Sequence, residues 1–125
     1  MKVRAGRTLF ISNSQRAPNH LWIVITDPTG DPPQVVIVSF TTRRAGADPT
    51  VIVRPGEHPF VVRETVIHYT DSRLVRVEQL QALVENGITT FHEDCSEALL
   101  ARIQGGVLAS PFTPHFIKGY CAGRV

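Results

Sequence analysis

The chain has 125 residues, a formal net charge of +2, 42% hydrophobic residues and 19% charged ones. That length suits one domain able to bury roughly two thirds of the surface its unfolded form exposes, and the balance excludes both a disordered chain and the strongly basic signature that by itself argues for nucleic acid. No apolar run approaches the roughly 18 residues of a membrane span, so no membrane partner is expected, and Thr8-Leu9-Phe10-Ile11 is too short for a signal-peptide core.

In chain order the first half reads as strands at Thr8–Ser12, Leu21–Thr26, Gln34–Thr42, Thr50–Val53 and Val61–Tyr69, rich in Val, Ile and Thr and separated by Pro, Gly, Asn and Asp. Five short strands without a helical pattern between them predict an antiparallel small barrel or curled sheet over about residues 6–70. Thr26 to Pro33 is too long and Pro-rich for a tight hairpin and should form an exposed loop. The continuous apolar runs at Leu21 and Val35 mark central strands covered on both faces, by two helices or by a partner subunit. His68 and Tyr69 are consecutive on a strand, so one should face the core and the other solvent. Trp22, inside an apolar run, reads as core rather than as a base-stacking platform.

The remainder, about residues 72–125, reads as helical and irregular. Glu78–Asn86 has Leu80, Leu83 and Val84 at helical spacing and stops at Asn86-Gly87, while Leu74–Val77 suits either a strand or a first helical turn. Cys95–Gln104 is the second helix, with Asp94 and Glu97 placed as a capping box and Gly105-Gly106 as its end. From Ser110 onward Pro111, Pro114 and scattered aromatics show no period, and irregular packing is expected.

Cys95 and Cys121 lack the density of a secreted disulfide framework, which points to reduced thiols in a cytoplasm. Only Lys2 and Lys118 are lysines; the other cations are arginines, which hold phosphate bidentately, although a GC-rich genome yields the same bias. His92-Glu93-Asp94-Cys95 contains a His-x-x-Cys spacing, but without a second paired motif no metal is assigned. Gly105-Gly106 follows a helix and cannot set a phosphate on a helix N-terminus. No cofactor is expected.

A strand, a polar loop, the second strand His20–Thr26, a turn and a third strand Val35-Val36-Ile37-Val38-Ser39-Phe40 ending in Thr41-Thr42 is similar to the PemK/MazF-like toxins, endoribonucleases of type II toxin–antitoxin systems. The resemblance covers about residues 6–59. It implies an SH3-like barrel of about five strands with two appended helices, usually a homodimer, in which an Arg and a Thr or Ser act at the scissile phosphate of single-stranded RNA without metal. An antitoxin protein would be the second partner. Thr42 is the closest counterpart of the family's hydroxyl residue and Thr41 the next. The family's Arg-Pro directly ahead of the second strand is displaced here, because Gln15-Arg16-Ala17-Pro18-Asn19-His20 sets Arg16 and Pro18 back and puts His20 next to the strand.

Cleavage of RNA through its 2′-hydroxyl needs a base, an acid and donors on the phosphorane oxygens. His20 and His58 are the acid–base candidates, Arg16, Arg43 and Arg44 the phosphate candidates, and Thr41 or Thr42 the hydroxyl donors. Each has a plain structural alternative: His20 tying down a carbonyl, His58 capping the rigid Pro55–Pro59 turn, Arg43-Arg44 as a solvated hairpin tip, and the threonines as ordinary strand formers. A catalytically silent barrel serving as an RNA-binding or protein-interaction module is the competing functional expectation.

Overall fold

A computed structural model describes residues 2–11 and 20–125. Arg16, with the rest of the loop ahead of the second strand, lies outside the described residues, as does Ser12 at the end of the first. The described residues form seven strands, β1 (Thr8–Ile11), β2 (His20–Val24), β3 (Gln34–Thr42), β4 (Ile52–Val53), β5 (Thr65–Ile67), β6 (Arg73–Arg76) and β7 (Phe91–His92), and three helices, α1 (Val77–Glu85), α2 (Glu97–Ala109) and α3 (His115–Cys121). All pairings are antiparallel, in the order β4-β5-β3-β2-β1-β7, with β6 added to β3. The architecture is therefore mainly β with helices in the C-terminal half. Among the described residues β4 and β7 are unjoined ends, so the sheet is open.

β3 organises the whole molecule. Its first half pairs with β6, from Gln34↔Arg76 to Ile37↔Arg73, and its last residues turn to β5, with Phe40↔Ile67, Thr41↔Val66 and Thr42↔Thr65. Its other edge pairs with β2 through Trp22↔Ser39 and Val24↔Ile37. One strand thus belongs to two sheet segments, and its C-terminal end is delivered away from the middle of the sheet.

Alternation divides the apolar runs between two cores. Leu21, Ile23, Val36, Val38 and Phe40 face α2 and α3, packing with Leu99, Ile103, Val107 and Ile117. Trp22, Val24, Val35 and Ile37 face the other way, onto Val77 and Leu80 of α1 and onto Val3. Both faces of the central strands are covered, as their unbroken hydrophobicity requires. Tyr69 is fully buried and its neighbour His68 exposed, but strand alternation is not the cause: β5 ends at Ile67, and Tyr69 opens a short 3-10 helix, Tyr69–Asp71. The loop from Thr26 to Pro33 is largely exposed but closed at its base by reciprocal backbone bonds between Thr29 and Gln34, at 3.1 and 2.8 Å.

α1 follows its expected span, ending at Asn86 with Gly87 at φ +71°. Leu74–Arg76 belongs to β6, and Val77 opens the helix. Three expectations need correction. α2 is capped by Ser96, whose Oγ accepts the Leu99 amide at 3.1 Å, because Asp94 is engaged by Arg4 at 2.6 Å and Arg7 at 3.2 Å. Gly105-Gly106 does not end α2, which runs on to Ala109 because Gly106 and Val107 are packed in the core. The tail is not wholly irregular: α3 forms after Pro114, burying Ile117 and Cys121 on one face.

Asp48, in the connection between β3 and β4, fastens that connection to the end of α2. Burial alone would raise its pKa, but Oδ2 accepts from the Ser110 hydroxyl at 2.5 Å and Oδ1 from the Thr50 hydroxyl and amide at 2.5 and 3.0 Å. These donors prevail and hold the carboxyl below its ordinary range. A depressed folded-state value contributes stability that is complete above the unfolded pKa of about 3.9 and lost as pH falls through the folded value. Asp48→Asn should therefore lower stability at pH 7 by about 1–3 kcal/mol, and thermal melts should show the deficit shrinking once pH drops below about 4. A deficit that stays constant down to pH 2 would contradict this account.

Candidate functional site: the cleft at the end of β3

The end of β3 opens into a cavity of about 320 Å³ lined by His20, Thr41, Thr42 and Arg44, with Arg63 and Phe60 on a further wall. Register explains the convergence. Continuing Trp22↔Ser39 by two residues sets His20 beside Thr41, and the Thr42↔Thr65 pair brings the segment before β5, including Arg63, to the same place. Phe10 and Phe40 complete an aromatic lining. Strand pairing thus brings His20 and Arg63, distant in sequence, to Thr41, Thr42 and Arg44 at the end of β3.

His20 is partly exposed, and its Nδ1 lies 3.4 Å from the Phe40 carbonyl oxygen. That contact is long for a hydrogen bond and orients the ring only loosely. Thr41 and Thr42 are half-buried strand residues at the cleft rim. Arg44 and Arg63 are exposed, and neither makes an ion pair among the described residues. Arg43 differs: its guanidinium is paired with the Glu64 carboxylate and its amide donates to the Glu64 carbonyl at 3.1 Å. Both partners of the ion pair are exposed, so it adds only about 0–1 kcal/mol, yet it directs the side chain to Glu64.

His58 is held apart from this group. It is 2% exposed, its Nδ1 accepts the Phe60 amide at 3.2 Å, and its Nε2 donates to the Glu93 carbonyl at 2.7 Å. With both ring nitrogens engaged it serves as a structural pin for the turn. The pin matters to the cleft because it positions Phe60, whose ring meets Phe10 and His92 edge-on at 4.8 and 4.7 Å between centroids. Glu57, paired with Arg102 of α2, anchors the same turn from its other side.

Arg63, Phe10 and Phe60 are cleft residues that sequence reasoning missed. Arg63 sat inside an expected strand, Val61–Tyr69, whereas β5 starts at Thr65 and leaves Arg63 in a connecting segment. No local signal marks it; only its proximity to Thr65, the partner of Thr42, does. Trp22 is buried beneath Arg73, whose guanidinium lies 5.0 Å from the ring centre. Both thiols are free; burial pushes Cys95 up to about 12, aided by the Asp94 charge, and Cys121 up to about 11 against the opposing pull of Arg124. Neither is poised as a nucleophile. No helix among the described residues is long and apolar enough to cross a membrane. Comparison with family models, curated proteins and solved structures finds no match to this chain.

Proposed function

We propose that the cleft at the end of β3 binds single-stranded RNA and cleaves it, as the endoribonuclease of a PemK/MazF-like toxin built on an SH3-like barrel and acting as a homodimer with an antitoxin partner in the cytoplasm. The observation that carries this reading is a cleft lined by His20, Thr41, Thr42, Arg44 and Arg63, the two arginines free of ion pairs among the described residues, beside aromatic walls. A β3 that bends from one sheet segment into another is compatible with such a scaffold.

In this reading His20 takes the 2′-hydroxyl proton, the resulting oxyanion attacks phosphorus, and a 2′,3′-cyclic phosphate forms as the bond to the 5′-oxygen breaks. Arg44, Arg63 and the Thr42 hydroxyl bear on the phosphorane oxygens, where the extra negative charge develops. The leaving 5′-oxygen is protonated by the imidazolium of His20 through water. A second reading, a catalytically silent RNA-binding or protein-interaction module, draws on a specific observation: His20 is the sole imidazole lining this cleft among the described residues.

One assay separates them. A labelled single-stranded RNA incubated with the protein and excess chelator should yield fragments with 2′,3′-cyclic phosphate ends, and Thr42→Ala should slow cleavage at least tenfold. Intact RNA that is nonetheless bound would select the silent module. RNA neither bound nor cut would remove both RNA readings and leave a protein-interaction module.

A further inference from the structure

We propose that the RNA groove continues over the Thr41–Arg44 ridge into a second cleft, where Phe112 stacks on the nucleobase neighbouring the phosphate held by Arg44. The proposal rests on the reading of the first cleft as a single-stranded RNA site. The second cleft, of about 310 Å³, shares Thr41, Thr42 and Arg44 with the first, and Phe112, His68 and Thr70 stand among its other walls. A chain crossing Arg44 from one cleft therefore enters the other.

Three observations select a base as the occupant. Phe112 is 54% exposed, an aromatic face that the fold itself does not use. Its backbone is nevertheless held, because its amide donates to Ser110 Oγ at 3.1 Å and Ser110 donates to buried Asp48 at 2.5 Å, so stacking on it has only the two side-chain torsions left to order. The remaining lining is Ala45, Gly46, Ala47 and Asp48, with Gly46 at φ +84° in a turn closed by Ala47 N–H to Arg44 O at 3.0 Å. The small side chains of residues 45–47 leave room for a flat ring.

Charge assigns the phosphate to the other side of the ridge. The Asp48 carboxylate, kept ionised by its donors, lies in the lining of the second cleft and repels a phosphate there, while Arg44 attracts one at the junction. An uncharged base is compatible with both. Stacking is sequence-tolerant because every base presents a π-face, so this subsite would add affinity more than sequence preference.

Fluorescence anisotropy with a labelled single-stranded 2′-O-methyl RNA octamer, which lacks the attacking hydroxyl, and with an octamer of the same backbone carrying abasic sites throughout, tests the assignment. Phe112→Ala should weaken the octamer roughly tenfold, leave the abasic octamer unchanged, and keep the salt dependence of wild type because no phosphate contact is lost. Phe112→Tyr should restore octamer affinity. Octamer binding by Phe112→Ala within twofold of wild type, while Arg44→Ala still weakens it, would overturn the subsite and leave the first cleft standing. A change of oligomeric state in Phe112→Ala, seen by sedimentation, would also overturn it by placing Phe112 between copies of the chain. Failure of wild type to bind either octamer would instead overturn the RNA reading of the first cleft, and the subsite with it.

Discussion

Gly106→Ala is expected to destabilise the protein by about 3 kcal/mol, near the upper end for a single added methyl in a packed core. A Cβ at Gly106 would collide with the Tyr69 hydroxyl and come within 2.5 Å of Val51 Cγ2 and 2.8 Å of Tyr69 Cζ. Neither neighbour can yield readily: Tyr69 is fully buried and donates its hydroxyl hydrogen to the Ile103 carbonyl at 2.8 Å. Thermal melting should fall by roughly 10 °C, on the scale expected for a domain of this size. The adjacent substitution gives the opposite sign. Gly105 is exposed in the same helix with open space where a methyl would sit, so Gly105→Ala should gain about 0.5–1 kcal/mol from helix propensity. If the two variants melt alike, the close approach of α2 to Tyr69 is not what requires glycine.

On the proposed endoribonuclease reading, Arg44→Ala should reduce RNA cleavage by about 10²–10³-fold, the usual loss when one donor to a developing oxyanion is removed. Arg43→Ala should leave the rate within about twofold of wild type, since its guanidinium is turned to Glu64 and that exposed pair adds little to stability. Arg44→Lys should recover only part of the loss, because an ammonium keeps the charge without the planar fork that grips two phosphate oxygens. Single-turnover rates at saturating protein would isolate this effect from weakened binding. Equal losses at the two positions would mean that Arg43 leaves Glu64 when RNA arrives, and an unaffected Arg44→Ala would remove Arg44 from the reaction.

The sheet was readable where burial leaves no choice. The residues of β3 follow directly from Gln34–Thr42, and the covering of both faces follows from unbroken apolar runs at Leu21 and Val35. Expected strands at Thr50–Val53 and Val61–Tyr69 shrink to two and three residues; Val61 is buried outside β5, and Val51, just ahead of β4, keeps only a long 3.4 Å bond from the Ile67 amide. β7 was invisible, since two residues carry no period. The glycines at 105 and 106 resemble a helix stop because local propensity says nothing of a tyrosine that packs against one of them.

The site was legible as a list but not as a grouping. Register brings His20 and Arg63 to Thr41, Thr42 and Arg44, a juxtaposition that no single segment encodes. His58 could not be distinguished from His20 in sequence, because what separates them is burial and two hydrogen bonds, one within its own turn to Phe60 and one across the fold to Glu93. Arg43 and Arg44 are equally basic neighbours, and only Glu64 on the adjoining segment tells them apart.

The outer edge of β1 is closed by β7 through Thr8↔His92 and Leu9↔Phe91. On the ribosome these partners emerge about eighty residues apart, which at 5–20 residues per second is a delay of several seconds. Throughout that interval a nascent chain carries an uncapped strand edge, the kind of surface that recruits a like strand from another polypeptide. The edge left once β7 is in place is only two residues long, so changes there should be felt in the yield of soluble protein before they are felt in the melting temperature of what has folded.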